Sequence, residues 1–471
     1  MISFTLCLIA LIAGYFTYGR FVERVFGPDN RKTPALTQAD GVDYIPMPTW
    51  KIFMIQFLNI AGLGPIFGAI LGAKFGTASY LWIVLGSIFA GAMHDYFSGM
   101  LSIRNNGESL PEITGRYLGK RMRNVLCLFT IVLMVLVGAV FVAGPAGLLA
   151  KLTPEALDTT FWIIMIFLYY LLATLLPIDK IIGKIYPLFA FALLFMAVSI
   201  LGMLFYHQPA LPELWDGLEN THPNADTLPI FPIMFVSIAC GAISGFHATQ
   251  SPMMARCLRS EYHGRPVFYG AMIVEGIVAL IWAAAATYFF RENGMEENNA
   301  SVIVDEITKS WLGTVGAVLA VLGVIAAPIT SGDTAFRSAR LIIADFFHIG
   351  QKKITSRLII CVPLFLAAVG ILLYSLKDAD GFNTIWRYFA WTNQTLSVFT
   401  LWTIIAFLMQ ERKPYWFVMI PALFMTLVCF TYICIAPEGL RLGETLSYVI
   451  GGICTLAVFL WFFQWSKKFR R

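Results

Sequence analysis

Apolar stretches of about 20 residues, separated by short polar loops, recur along the whole chain. A helix rises 1.5 Å per residue, so roughly 20 apolar residues cross a hydrocarbon core about 30 Å thick. The pattern therefore predicts an all-α polytopic membrane protein. Thirteen spans are predicted, at 2–22, 52–73, 79–103, 124–150, 159–176, 183–206, 228–250, 266–290, 311–330, 355–376, 383–408, 415–435 and 444–465.

Lysine and arginine residues are concentrated in every second loop of this topology. With the N-terminus outside, 26 of the 33 basic residues fall on one side, and the 207–228 loop opposite has none. Basic loops face the cytoplasm, which predicts a plasma-membrane protein with its N-terminus outside and its C-terminus in the cytoplasm. A missed or added helix would swap the sides of all later loops, so the sorting also supports the number of spans.

Composition mainly excludes classes of protein. The chain is 58% hydrophobic and 13% charged over 471 residues, which leaves no room for a large soluble domain. The net charge of +5 reflects the cytoplasmic loops, so we expect no nucleic-acid partner; the expected partners are the bilayer and a small-molecule substrate. The eight cysteines include no CxxC pair and predict neither a zinc site nor a disulfide framework.

Two of the apolar segments carry helix breakers near their middles. Residues 60–68 read IAGLGPIFG, and residues 238–252 read IACGAISGFHATQSP. Each break follows nine to eleven residues of apolar sequence, which is about 14 to 16 Å of helix and places it near the membrane midplane. Glycine lowers the cost of leaving helical geometry, and Pro65 suits the first turn of a new half-helix.

The two breaks occur in blocks of opposite predicted orientation, which is typical of an inverted repeat around a central site. We predict a five-plus-five repeat with two discontinuous helices, built from residues 51–206 and 228–408. Residues 1–50 would add an N-terminal span and a cytoplasmic loop, and residues 409–471 two accessory spans. The four-residue spacing of Gly64, Gly68 and Gly72 also fits plain close helix packing, and both interpretations can hold together.

Several motifs resemble the carbon starvation protein A family: DGVDYIPM (40–47), IAGLGP (60–65), IACGAISGFHA (238–248), GAMIVE (270–275) and NQ (393–394). The resemblance covers most of the chain. It implies the fold of the amino acid–polyamine–organocation superfamily and uptake of peptides or pyruvate during carbon starvation. His94 stands before Asp95 where the resemblance predicts Gln.

The N-terminus of each half-helix offers backbone N–H groups and a positive dipole end, which suit a substrate carboxylate. His247 could equally be a satisfied interior histidine. The NQ pair, flanked by Phe389 and Trp391, could gate a path or only form interhelical hydrogen bonds. The predicted substrate-binding residues are Ala61, Gly62, Leu63, Gly64, Gly241, Ser244, Gly245, Phe246, His247, Asn393 and Gln394.

Two carboxylates lie inside predicted spans, where a charge costs several kcal/mol and needs a partner, water or a proton. Glu275 follows Arg265 by ten residues, about 15 Å of helix, and is the first candidate for proton coupling; a structural carboxyl is the alternative. Asp95 is the second candidate, lining an inner exit or pairing with a neighbouring helix. Successive helical residues point about 100° apart, so we do not expect His94 and Asp95 to pair.

Residues 328–340 read PITSGDTAFRSAR and predict a third irregular point, at Pro328 and Gly332. The hard oxygens of Thr330, Ser331, Asp333 and Thr334 suit Na⁺, and the superfamily fold implied by the resemblance places this span opposite the first break, where sodium often binds. In the alternative interpretation, Ser331 or Asp333 caps the following helix and Asp333 pairs with Arg337.

Together these features predict a secondary active transporter that imports a small carboxylate-bearing nutrient by alternating access. Proton symport is preferred because Glu275 is better placed than the 330–334 oxygens, and a sodium-coupled symporter of the same fold is the alternative. A channel or a transporter-like sensor is a further alternative. We expect neither a cofactor nor an enzyme activity, since motifs such as GxxxxGK[ST] and HExxH do not occur.

Overall fold

A computed structural model describes residues 1–175, 182–295, 299–351, 353–375 and 381–467, and within these ranges the chain is helical, without strands. The shorter helical pieces are Pro34–Thr37, Leu214–Asp216, Ile230–Met234, Phe235–Ser237, Ala239–Gly241, Glu261–His263 and Arg265–Tyr269. The longer helices are Ile2–Phe16, Tyr18–Phe26, Thr49–Ile60, Gly64–Gly68 continued by Ala69–Ala73, Ala78–Leu85 continued by Gly86–Gly91 and Ala92–Arg104, Leu110–Leu118, Lys120–Leu152, Thr159–Leu175, Ile182–His207, Gly245–Ala255, Gly270–Asn293, Ala300–Phe347, Ile354–Ser375, Gly381–Gln410, Trp416–Ile435 and Glu444–Ser466.

Among the described residues, eight helical stretches, some of them made of consecutive helices, are long and apolar enough to cross a membrane, and a ninth span results if one bent pair counts as a single crossing. Within the described residues, each predicted span overlaps one helix or a series of shorter helical pieces. The prediction of an all-α polytopic membrane protein is confirmed. The number of crossings, their orientation and the inverted repeat remain predictions.

The first broken helix consists of Thr49–Ile60 and Gly64–Ala73, which meet at 54° across residues 61–63. A Cβ atom on Gly62 would lie 2.8 Å from the Phe141 ring, and a Cβ atom on Gly64 only 2.2 Å from the Cβ atom of Cys240. Real Cβ atoms do not approach other atoms so closely, so these two positions require glycine for close approach.

The second broken helix consists of residues 230–241, an irregular link at 242–244, and Gly245–Ala255. Ser244 has extended backbone torsions (φ −144°, ψ 122°), and helical geometry resumes at Gly245. Both breaks are shorter than the sequence predicts, because the residues after the link already form the first turn of a new helix. His247 is therefore helical and not part of an open loop.

The two broken helices pack directly against each other. The glycine stripe of the first lies on the second: a Cβ atom on Gly68 would lie 2.8 Å from the Ser237 carbonyl oxygen, and one on Gly72 2.2 Å from the Ile238 side chain. Close packing and helix breakage thus occur together, as the sequence allows. The helices Gly270–Asn293, Ala300–Phe347 and Gly381–Gln410 surround this central pair.

The predicted interruption at Pro328 and Gly332 is wrong, because Ala300–Phe347 is helical through both residues and departs from helical torsions only at Gly313. Neither Ser331 nor Asp333 caps a helix here. The neighbouring Tyr170 explains why the helix tolerates this sequence: its hydroxyl donates to the Pro328 carbonyl at 3.3 Å, and its ring occupies the space that a Gly332 side chain would need.

Candidate functional site: a buried ionisable chain at the second break

Four ionisable side chains form a continuous buried chain beside the second break. The His94 Nδ1 atom lies 2.8 Å from Asp95 Oδ1, and Asp95 Oδ2 lies 2.8 Å from His247 Nδ1. His247 Nε2 in turn lies 3.4 Å from Glu275 Oε2. All four side chains are fully buried. We call this set the ionisable chain (His94, Asp95, His247 and Glu275).

Three separate elements supply these groups. His94 and Asp95 lie on Ala92–Arg104, His247 in the first turn of Gly245–Ala255, and Glu275 on Gly270–Asn293. These elements pack tightly: the Phe268 ring, in the piece just before the helix that carries Glu275, lies against Gly99, and the Met272 side chain of that helix lies against Gly91. The ionisable chain therefore crosses the contact between the second broken helix and the two neighbouring helices that carry Asp95 and Glu275.

Asp95 decides the tautomers of the two histidines. When Asp95 is ionised it can only accept, so both Nδ1 atoms donate to it and each neutral imidazole carries its proton on Nδ1. The Nε2 atom of His247 then faces Glu275, and one proton can reside on either of them. At 3.4 Å this contact is longer than a well-formed hydrogen bond, and among the described residues neither carboxyl oxygen of Glu275 has a hydrogen-bond partner.

The sequence identified three members of this chain, Asp95, His247 and Glu275, without predicting that they meet. The expectation that His94 and Asp95 do not pair is wrong, because the imidazole swings toward the adjacent carboxylate although the two Cα–Cβ bonds diverge. His94 was thus missed as a site residue. The signal was available: a His–Asp dipeptide inside an apolar span.

Asn393 and Gln394 bind the exposed backbone of the second break. The Asn393 amide oxygen accepts from the Phe246 N–H at 2.7 Å and from the Ser244 hydroxyl at 3.0 Å, and Gln394 donates to the Ile243 carbonyl at 2.9 Å. Interhelical hydrogen bonding is the role observed here. Trp391 donates to the Cys429 carbonyl and faces another helix, whereas the Phe389 ring lies toward the breaks.

At the first break, Ala61, Gly62, Leu63 and Gly64 are all buried. Ser331 brings the predicted sodium residues next to it, because its hydroxyl donates to the Leu58 carbonyl at 3.0 Å. The hydroxyls of Thr330 and Thr334 bond to carbonyls of their own helix. Asp333 accepts from the Tyr186 hydroxyl at 2.5 Å through one oxygen, and its other oxygen has no hydrogen-bond partner among the described residues.

Three buried amide side chains near the breaks were not predicted as site residues. Gln56 and Asn59 lie on the half-helix before the first break, and Gln250 lies on the half-helix after the second. Within the described part of the chain, both amide atoms of Asn59 and the amide oxygens of Gln56 and Gln250 lack hydrogen-bond partners. Buried polar atoms of this kind are rare and suit a polar ligand. Polar residues inside a broken apolar span were the available signal.

A cavity of about 270 Å³ opens between the two broken helices on the side predicted to be extracellular. Its lining includes Phe75, His222, Ser237, Asn383 and Trp386. From Trp386 a series of rings leads inward: Trp386 to Phe389 at 5.4 Å, Phe389 to Phe141 at 5.8 Å, and Phe141 to Phe246 at 6.1 Å. The inner end of this series reaches the first break, where the Phe141 ring packs against Gly62.

Solved structures of transporters share this fold. A mutant form of a manganese transporter of Eremococcus coleocola superimposes with a TM-score of 0.62 over 92% of this chain and 99% of that one, at 13% identity. A Na⁺-coupled sialic acid symporter in an outward-open state gives a TM-score of 0.50 over 95% and 96% of the two chains, also at 13% identity. At such identities the likeness concerns the fold alone.

Sequence comparison identifies relatives over most of the chain. An uncharacterized membrane protein of Haemophilus influenzae is 43% identical over 339 residues, covering 62% of this chain and 91% of that protein. The peptide transporter CstA of Bacillus subtilis is 26% identical over 494 residues, covering 83% and 82%. The pyruvate/proton symporter BtsT of Escherichia coli is 28% identical over 323 residues, covering 55% and 44%.

The profile of the carbon starvation protein CstA matches three overlapping stretches, 1–157, 146–310 and 298–432, which together take in nearly all of the chain. These stretches include both broken helices, the ionisable chain and the helix that carries Asn393 and Gln394. The protein therefore belongs to the carbon starvation protein CstA family.

Proposed function

We propose that the protein is a secondary active transporter that imports a small carboxylate-bearing carbon nutrient, a short peptide or pyruvate, by proton symport. The observation that carries the proposal is the ionisable chain, fully buried against a helix break. Relatives named as a peptide transporter and as a pyruvate/proton symporter support the substrate class.

In the proposed mechanism, the proton carried with the substrate resides on the Glu275–His247 pair. A carboxylate at membrane depth is costly when ionised and alone, so Glu275 holds a proton when it is sealed from water. Asp95 keeps the Nδ1–H of His247 directed toward itself, which leaves Nε2 free to accept the proton from Glu275 or to return it. Each transfer then needs only a small change in the 3.4 Å separation.

The break links this proton to substrate binding. His247 stands two residues after Gly245, in the first turn of the half-helix, so any movement of the break changes its distance to Glu275 on a separate helix. Substrate that contacts the break would bias the same element that holds the proton. This is the requirement for coupling, since a ligand shifts an equilibrium only through differential contact with its two states.

The substrate carboxylate would bind at the N-termini of the half-helices, and the remaining polar atoms of the substrate would contact Gln56, Asn59 and Gln250. In the described arrangement Asn393 already supplies an oxygen to the Phe246 N–H. A substrate carboxylate would therefore bind first at residues 61–64, or displace Asn393 from the second break. The 270 Å³ cavity beyond the aromatic rings would be the route of entry.

Uptake by proteoliposomes tests the proposal. Purified protein should accumulate labelled pyruvate or dipeptide saturably when the outside is acidic, and accumulation should collapse with a protonophore. A Na⁺ gradient alone should not drive it. Substrate leak that is independent of both gradients would contradict symport. Accumulation driven by Na⁺ alone would indicate that the coupling ion is sodium, bound at residues 330–334, and not the proton.

The Glu275→Gln variant tests the coupling assignment. Proton-driven accumulation should fall at least tenfold, whereas exchange of internal for external substrate without a gradient should continue, because the amide retains the size of the carboxyl but carries no exchangeable charge. Glu306→Gln is the matched control, since Glu306 is exposed on another helix. Unchanged proton dependence in the Glu275 variant would remove this residue from coupling.

A further inference from the structure

A second charged cluster lies on the side predicted to be cytoplasmic, below the breaks. Its central carboxylate is Asp43, in an irregular segment, residues 38–48, that leads into the first broken helix. We call this segment the strap. Asp43 Oδ1 lies 3.4 Å from Arg340 Nη2 and 3.7 Å from Arg337 Nη1. Both arginines lie on Ala300–Phe347, and their side chains are 0% and 1% exposed.

Hydrogen bonds attach the strap to the rest of the protein. The Met47 N–H donates to the Cys257 carbonyl at 3.1 Å, and the Tyr44 hydroxyl donates to the Asn106 carbonyl at 3.0 Å. The Arg256 guanidinium lies over the Tyr44 ring at 5.0 Å. The strap therefore covers the arginines from the predicted cytoplasmic side, and the half-helix that starts at Thr49 continues directly from it.

The carboxylate of Asp43 fits this place loosely. Charge-assisted N–H···O bonds are normally about 2.7–2.9 Å long, and both contacts to the arginines exceed that range. Arg340 donates to the Gln351 amide oxygen at 2.6 Å, but its Nε atom has no hydrogen-bond partner among the described residues. Arg340 thus uses only part of its planar set of donors. It could bind both oxygens of a carboxylate, whereas it now contacts only one oxygen of Asp43.

The charges in this cluster are costly to separate. Burial would raise the pKa of Asp43, but the guanidinium groups of Arg340 and Arg337 outweigh it and hold that pKa below its ordinary value, so Asp43 is ionised at neutral pH. A buried guanidinium that loses its carboxylate is left as an uncompensated charge, which is strongly destabilising. Any movement that withdraws the strap therefore requires water or another anion at Arg340.

We propose that Arg337 and Arg340 form an inner carboxylate site, which Asp43 fills in this arrangement and which the substrate carboxylate fills when the strap is withdrawn. The inference rests on the proposed function for the identity of its ligand. Movement of the Thr49–Ile60 half-helix would carry Asp43 away, while the arginines stay on the Ala300–Phe347 helix. The substrate carboxylate then replaces Asp43 on its way to the cytoplasm, and the returning strap displaces it.

The test is rescue of an Asp43 variant by an external carboxylate. Asp43→Ala is purified in detergent without carboxylate buffers, and its thermal unfolding midpoint is followed during titration with acetate. The variant should unfold below the wild type, and acetate should raise its midpoint at least three times as much as that of the wild type. Acetamide, which has the same shape but no charge, should have no such effect.

Two further variants make the result decisive. Asp43→Ser also removes the carboxylate and leaves space for acetate beside the arginines, and should show the same acetate response if the alanine variant does not fold. Asp43→Ala combined with Arg340→Gln should lose the response, because the donor fork is gone. Equal acetate responses in wild type and variants, or an equal response to chloride, would overturn the carboxylate site. The titration requires no transport, so failed uptake with successful rescue would count against the proposed function alone.

Discussion

The two broken helices meet the same problem, unpaired backbone in the middle of a membrane, in different ways. At the first break the backbone is covered mainly by close packing, because the Phe141 ring lies against Gly62 and Cys240 lies against Gly64. One hydroxyl, that of Ser331, donates to the Leu58 carbonyl. At the second break the backbone is held by amide side chains of another helix, Asn393 and Gln394.

The two breaks therefore place different requirements on the side chains around them. A break closed by packing depends on the absence of side chains, so any added atom is costly there. A break closed by hydrogen bonds depends on specific donors and acceptors, and it also places His247 where it contacts Asp95 and Glu275. The first break thus provides close approach between the helices, and the second carries the ionisable groups.

The largest effect is expected from Gly64→Ala. The new methyl group would lie 2.2 Å from the Cys240 Cβ atom, and overpacking of a fixed contact costs about 3 kcal/mol. Thermal or denaturant unfolding in detergent measures the loss. Adding Cys240→Gly should recover most of it, whereas Gly147→Ala, where no atom lies within 4 Å, should change little. Equal losses of stability at Gly64 and Gly147 would contradict the conclusion that the first break depends on close packing.

A smaller loss is expected from Asn393→Ala at the second break. It leaves the buried Phe246 N–H and the Ser244 hydroxyl without their acceptor, which costs about 2 kcal/mol. Thr400→Ala on the same helix is the control, because its buried hydroxyl donates to the Leu396 carbonyl of its own helix. The same unfolding measurement applies. A loss no greater than that of the control would show that the amide does not support the break.

The smallest effect is expected from Ser331→Ala at the first break, about 1 kcal/mol for one buried hydrogen bond to a carbonyl. Because the first break depends mainly on packing, this loss should be below that of Asn393→Ala. Sodium dependence of the unfolding midpoint should be compared in the same variant. A loss larger than that of Asn393→Ala would reverse the comparison between the two breaks.

Local sequence was sufficient where a single segment decides the outcome. Glycines and Pro65 marked the breaks, and Glu275 was conspicuous as a carboxyl in an apolar span. Local sequence was insufficient to predict contacts between distant helices. Asp95 and His247 are 152 residues apart in sequence, and only tertiary packing brings them into contact. For the same reason the sequence suggested a break at Pro328, since the supporting hydroxyl of Tyr170 comes from another helix.

The contact between Gly64 and Cys240 also constrains how the family can diverge. With only 2.2 Å available for a Cβ atom, the combined volume at the two positions is restricted more tightly than the volume at either one. Relatives that enlarge position 64 should therefore carry glycine at position 240, and a substitution at one position should precede or follow its counterpart closely in descent. Aligned sequences of the family should display this pair as coupled, although the two residues lie in different halves of the chain.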